Sequence, residues 1–263
     1  MKVMSKLFCT SAALLLLQMA AAAQSAERRI ALVIGVADYK DGGLLQSLPG
    51  IDKDVQMIID AIKSIGFEVT GIMDPTLGEA EVAIAAFGAK LAQHSGATGL
   101  FYFSGTGFEV DGSTYLMPKG ARVNTSSDVT EKGIPISKIL GRMGVSKDQV
   151  NLVFLDCCRT ELTSRSGSGG LSARPAPEAF ISYAVGAGRV ALATPTGSLY
   201  TQSLARHITQ EGIPVLEMHT RIAGEVKAAA KKMGADQTPV LYSGLDRNFY
   251  LVPASDGKNA ASK

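Results

Sequence analysis

Asp156, Cys157, Cys158 and Arg159 set an acid, two thiols and a guanidinium on four successive positions. They follow the apolar run Leu152-Val153-Phe154-Leu155. An unbroken apolar run this short is the pattern of a strand buried on both faces, as in a parallel α/β sheet. In such sheets the ligand crevice lies beyond the carboxyl ends of the strands, which places these four residues where chemistry occurs. The chemistry they suit is nucleophilic attack by a thiolate on a carbonyl. A free thiol is only a few per cent ionised near neutral pH, so it needs a base or a cation beside it. Strand alternation points Cys157 away from Cys158, which assigns Cys157 to packing and leaves Cys158 for reaction. A second polar corner, Ser104-Gly105-Thr106-Gly107, closes another apolar run, Leu100 to Phe103.

Both corners must be delivered by strands of one sheet, and the chain supplies them. Arg29–Val36 reads as a central strand, followed by a glycine-bearing loop over 37–43. Asp52 to Ile65 has helical spacing, with Val55, Ile58, Ile59 and Ile62 on one face and Gly66 as its stop. Phe67–Met73 alternates as an outer strand, and Glu79–His94 is a second helix with Val82, Phe87 and Leu91 inward. Gly99–Phe103 is a buried strand ending in the Gly105–Gly107 turn, and Glu109–Met117 forms a hairpin around Asp111-Gly112. A short helix over Ile134–Met143 precedes the strand at Asn151. Thr160–Pro177, rich in Ser, Gly, Arg and Pro, reads as a mobile loop running to residue 178. Ala179–Val185 is a fifth strand, Gly197–Gln210 and Pro214–Met233 are helices, and Asn248–Val252 closes the sheet. Lys227, Lys231 and Lys232 make a solvated face on the last helix. Strands alternating with helices over residues 27–253 specify one doubly wound α/β domain, with a flexible tail over 254–263.

Bulk properties narrow the function. The first 26 residues have a basic start at Lys2 and Lys6, an apolar stretch from Leu7 to Leu17 and small residues at Ala20–Ala23. This is the layout of a secretory signal peptide, cleaved after Ala23 or Ala26, and the apolar stretch is short for an anchor. The expected product is exported, periplasmic or secreted. With a formal charge of +2 before cleavage, the mature chain is near neutral, which gives no reason to expect nucleic acid or stable membrane association as partners. Cleavage leaves Cys157 and Cys158, and sequence neighbours rarely meet disulfide geometry. Two unbridged thiols in an oxidising compartment favour a functional or inherited thiol site. No metal-ligand spacing, phosphate loop or dinucleotide fingerprint is present, so no cofactor and no metal is expected.

Arg29–Tyr39, Phe101–Gly107 and Leu155–Arg159 together resemble the caspase-like peptidase domain of the bacterial metacaspase and orthocaspase type. The resemblance runs from about residue 28 to 252 and includes Gln237-Thr238-Pro239 and Asn248-Phe249-Tyr250. It implies a three-layer α/β/α sandwich around a mostly parallel six-stranded sheet. In that family one strand ends in Ser-Gly-His-Gly and the next in Asp-X-Cys-Arg. Leu155–Arg159 matches the second motif with Cys158 as the nucleophile. Ser104–Gly107 matches the first except that Thr106 stands where the histidine belongs, 52 residues before Cys158, near the roughly 50 expected.

The resemblance also implies roles around the nucleophile. The backbone N–H groups of Gly107 and Cys158 would form the oxyanion hole. Asp156 matches the acid of a specificity pocket that prefers Arg or Lys before the cleaved bond. Asp38 and Asp54 are further candidates for that pocket or for helix capping, with capping preferred for Asp54. Ser182 and Tyr183 resemble the strand bordering the peptide groove. Arg159, Arg165 and Arg174 would suit self-cleavage in the loop, although a surface loop open to any protease is the preferred reading. A threonine hydroxyl can neither take the thiol proton nor protonate the leaving amine near neutral pH, and general acid–base catalysis is worth about 100- to 10,000-fold. His94 begins at the opposite sheet edge, on the order of 17–20 Å from Thr106 by strand rise, and His207 and His219 lie in helices. The expectation is therefore a pseudopeptidase that binds a peptide or protein partner. The alternatives are an active cysteine endopeptidase cleaving after Arg or Lys, and a redox role for the two thiols.

Overall fold

The computed structural model describes residues 27–146, 148–162, 179–194 and 196–255. The expected leader, the segment carrying Arg165 and Arg174, and the end of the expected tail lie outside the described residues. The strands are β1 (Arg29–Gly35), β2 (Glu68–Met73), β3 (Thr98–Gly105), β4 (Gly107–Val110), β5 (Ser113–Leu116), β6 (Ile134–Pro135), β7 (Val150–Cys157), β8 (Thr160–Glu161), β9 (Ala179–Tyr183), β10 (Ala193–Thr194), β11 (Gly197–Ser198) and β12 (Val240–Ser243). The helices are α1 (Ile51–Ser64), α2 (Leu77–Ala92), α3 (Ser126–Lys132), α4 (Ile136–Met143), α5 (Leu199–His207) and α6 (Val215–Lys232).

Six strands form the main sheet in the order β12-β9-β7-β3-β1-β2. All neighbours are parallel except β12, which runs antiparallel to β9. The apolar sequences of β1, β3 and β7 become its interior, while the alternating β2 takes an edge, as their patterns require. Side-chain alternation divides the core in two. Leu32, Phe101, Val153 and Leu155 pack with Ile84, Phe87 and Leu91 of α2 and Ile139 of α4. Val33, Tyr102, Leu152 and Phe154 pack with Val55 and Ile58 of α1, Leu204 of α5 and Ile222 of α6. The result is a mixed, mostly parallel sheet with helices on both faces.

Local chemistry sets the helix ends. Thr76 and Glu79 form a reciprocal capping box on α2, and Thr125 and Asp128 form another on α3. The α2 cap fixes its start at Leu77 and thereby corrects the expected inward face. Ala80, Ile84, Phe87, Gly88 and Leu91 are buried, while Val82 is 71% exposed. At about 100° per residue, Val82 stands roughly 200° from Ala80 and points to solvent. The sheet is closed by Val240–Ser243 rather than by Asn248–Val252. The latter stretch lies across the start of α6, where Val215 N–H donates to Phe249 and Pro214 bridges Tyr250.

Gly88 marks the closest helix contact: a Cβ there would fall 2.2 Å from the Arg142 carbonyl oxygen of α4. Gly88→Ala is expected to destabilise the protein. Overpacking of about 1–3 kcal/mol outweighs the roughly 0.8–1.0 kcal/mol that alanine gains in helix propensity. A urea midpoint equal to wild type would contradict the contact.

Candidate active site

The two polar corners are brought together by register. β3 and β7 pair in parallel up to Gly105 opposite Cys157, so Thr106 and Cys158 are the first residues past the ends of adjacent strands. Gly107 then turns back toward β7: a Cβ there would lie 2.8 Å from both Cys157 Sγ and the Cys158 carbonyl oxygen. The corner is held by backbone groups. Thr106 N–H donates to the Tyr39 hydroxyl at 2.9 Å, that hydroxyl donates to Met117 C=O at 3.0 Å, and Met117 N–H donates to Thr106 C=O at 3.0 Å. Gly107→Ala is expected to push this corner off the Cys158 peptide, costing about 1–3 kcal/mol or roughly 2–4 °C of Tm per kcal/mol. An unchanged melting curve would refute the close packing.

Beside Cys158 opens a cavity of about 130 Å³, lined by Asp54, Asp156, Ser104, Ala191–Ala193 and Ser198 among others. Asp156 comes from the same side of β7 as Leu152 and Phe154 and is 4% exposed. It accepts hydrogen bonds from the hydroxyls of Ser198 and Thr201. Asp54 is 2% exposed, and it accepts the Ser198 backbone N–H at 2.8 Å and a weaker bond from the Ser104 hydroxyl at 3.5 Å. Burial, and then the neighbouring Asp156, push the Asp54 carboxyl up to about 7. Burial also raises Asp156, against the pull of its two hydroxyl donors.

Three expectations need correction. Asp54 is a cavity residue and not a cap: the residue before α1 is Gly50, at φ 95 and without a side-chain cap. Asp38 stands outside the cavity in an exposed ion pair with Lys119 at 3.1 Å, which holds its carboxyl below the usual range. Its loop is aimed elsewhere because the N–H groups of Ala37 and Asp38 both donate to Asp74 Oδ1. Ser182 and Tyr183 do not reach the cavity. Ser182 is buried beneath α6, bonded to the Tyr200 hydroxyl at 2.6 Å and to His219 Nδ1 at 2.9 Å. Tyr183 points to the opposite face, under the Arg159 guanidinium. The strand interior thus goes to packing, and the cavity wall is made by Ala191–Ala193, a stretch with no distinctive side chains.

Cys157 is buried in the core, as alternation requires, and burial raises its thiol strongly. Cys158 is half-buried on the cavity. Burial raises its pKa as well, opposed by a hydrogen bond from the Ala191 N–H, so at neutral pH it is a thiol. None of the three histidines is beside it. His94 follows α2 at the far end of β3, close to Glu68. His207 lies between Gln210 and Glu225, and His219 is bonded to Ser182.

Arg159, next in the chain, is buried, and its guanidinium locks the corner. Its Nε and Nη2 reach Glu109 Oε2 at 3.1 and 2.9 Å, and its plane lies 4.1 Å over the Tyr183 ring. Its backbone N–H donates to Arg189 C=O and its C=O accepts from Gly188 N–H, at 2.9 and 2.7 Å. One side chain and one peptide thus tie the Cys158 corner to β4 and to the chain that leads into Ala191.

Comparison with known proteins gives the same fold. The family model described as "Caspase domain" matches residues 28–250. Human mucosa-associated lymphoid tissue lymphoma translocation protein 1 is 28% identical over 134 residues, which are 51% of this chain and 15% of that protein. Its mouse homolog matches with the same identity and coverage. The matched stretch is therefore a small part of these much longer relatives. Among solved structures, caspase-1 from Spodoptera frugiperda superposes with a TM-score of 0.63 at 17% identity, covering 88% of this chain and 92% of that one. With a match from the first strand past the last and the caspase-like sheet beneath it, this chain belongs to the caspase-domain family of peptidases.

Proposed function

We propose that this protein is an exported pseudopeptidase of the bacterial metacaspase and orthocaspase type. It takes a basic side chain of a peptide or protein partner into the Asp54–Asp156 cavity and holds the adjoining peptide near Cys158 without cutting it. The observation that carries this reading is Thr106 beside Cys158, with all three histidines placed elsewhere. Two buried carboxylates at the end of a small cavity favour a guanidinium or ammonium, because the cation restores charge balance where water cannot. In this reading Thr106 occupies the position of the family's imidazole, and the Gly107 and Cys158 N–H groups face the bound carbonyl. The leader directs export, and a mature chain would begin at Gln24 or Glu27. That start can be read by N-terminal sequencing of exported protein.

A second reading, an active endopeptidase cutting after Arg or Lys, is favoured by one observation: Cys158 lines the same cavity as the acids. Fluorogenic peptides ending in Arg or Lys separate the two. The pseudopeptidase reading expects tight-binding competition without turnover. Turnover abolished by Cys158→Ala but retained in Cys157→Ala would establish the endopeptidase instead.

A further inference from the structure

Asp54 and Asp156 reach the cavity from different elements, α1 and β7, yet one residue bridges them. Ser198 gives its backbone N–H to Asp54 at 2.8 Å and its hydroxyl to Asp156. The same Ser198 hydroxyl accepts the Thr201 N–H at 2.9 Å and caps α5, so the bridge is built into a helix terminus. Gly197, at φ 119, permits the approach: a Cβ there would lie 2.5 Å from Asp54 Oδ1. Among the described residues, every group facing the acid pair is neutral or acidic. Ser104 faces it from β3, Cys158 from the end of β7, and Ser198 and Thr201 from the start of α5. Asp52 adds negative charge from α1, and Tyr102 lies beneath, bonded to Thr201. Among the described residues no lysine or arginine lines the cavity. Two carboxylates so placed, with hydroxyl and amide donors only, are not both ionised in an empty site below neutral pH.

We infer that the cavity binds a monovalent organic cation in exchange for a proton held by the Asp54–Asp156 pair. A guanidinium or ammonium enters, the carboxyl proton leaves to solvent, and the pair changes from one negative charge to two, one of them neutralised by the cation. The inference rests on the basic-side-chain reading above and adds its proton stoichiometry. The sign follows from the exchange. Where Asp54 is protonated in the empty site, below about pH 7, binding must release its proton, so affinity climbs with pH by up to about tenfold per unit. Above that range the pair is already ionised, and affinity levels off.

The test is calorimetric titration of the full chain with N-acetylargininamide, whose guanidinium does not titrate in this range. It is run at about pH 6 in phosphate and in ACES, buffers of different ionisation enthalpy that carry no net positive charge, and repeated at about pH 8.5 in borate and in Tricine. The expected result is release of close to one proton per ligand at the lower pH, falling toward zero at the higher. Asp54→Asn should abolish most of the release. Binding of the same affinity at both pH values, with no buffer dependence, would overturn the proton exchange while leaving the basic pocket standing. Failure to bind at either pH would overturn both.

Discussion

Replacing Thr106 by histidine is expected to turn the proposed pseudopeptidase into a measurable peptidase, raising cleavage of an Arg-ending fluorogenic peptide by about 100- to 10,000-fold over wild type. The corner should tolerate the exchange. The Thr106 N–H and C=O are engaged by Tyr39 and Met117, so its conformation depends on the backbone and not on the hydroxyl. The residue is only partly buried, so the added ring displaces no packed side chain of the core. An imidazole there would sit past the end of β3, next to the strand that ends at Cys157, and could take the Cys158 proton that burial otherwise retains. The gain should vanish in Thr106→His/Cys158→Ala. If Thr106→His folds, binds the cation and still fails to cleave, the missing imidazole is not the sole defect.

Arg159→Met is expected to cost about 3–5 kcal/mol, because it leaves the Glu109 carboxylate buried without its cation. Folded domains hold only about 5–15 kcal/mol in all, so urea unfolding should shift far to lower denaturant. Methionine keeps apolar contact with Tyr183, which isolates the charge from the stacking. Pairing it with Glu109→Gln removes the stranded charge, so the double variant should recover part of the loss, and that coupling is the diagnostic. A single variant within about 1 kcal/mol of wild type would mean that the pair does not hold the corner.

How far the sequence could be read depended on where the information resides. The unbroken apolar runs of β1, β3 and β7 announced a central parallel sheet, because burial on both faces leaves no polar alternation. Strand period alone sends Cys157 to the core, where it lies, and Asp156, which the family resemblance links to a specificity pocket, lines the cavity beside Cys158. Asp54 carries a legible signal for the cavity in its spacing. It lies beside Val55 and one turn before Ile58 on the apolar stripe of α1, an inward place for a carboxylate, whereas a cap would precede the helix. Glu109 and Ser198 carry no local signal, since their partners, Arg159 and the two acids, lie 42 to 144 residues away in sequence. The resemblance that puts Ser182 and Tyr183 on the groove identifies their strand but not the elements that cover it. Here α6 covers one and Arg159 the other.

The central claim is that Cys158 is a nucleophile left without a base, and its ionisation tests that most directly. Alkylation by iodoacetamide, followed across pH by mass spectrometry of the peptide carrying Cys158, reports the thiolate fraction. Burial outweighs the Ala191 and Cys158 N–H donors, so the rate should inflect above the ordinary thiol value of about 8.5. Reaction near neutral pH should be correspondingly slow. An inflection below about 7 would reveal an activating group beside Cys158 and would contradict the pseudopeptidase account.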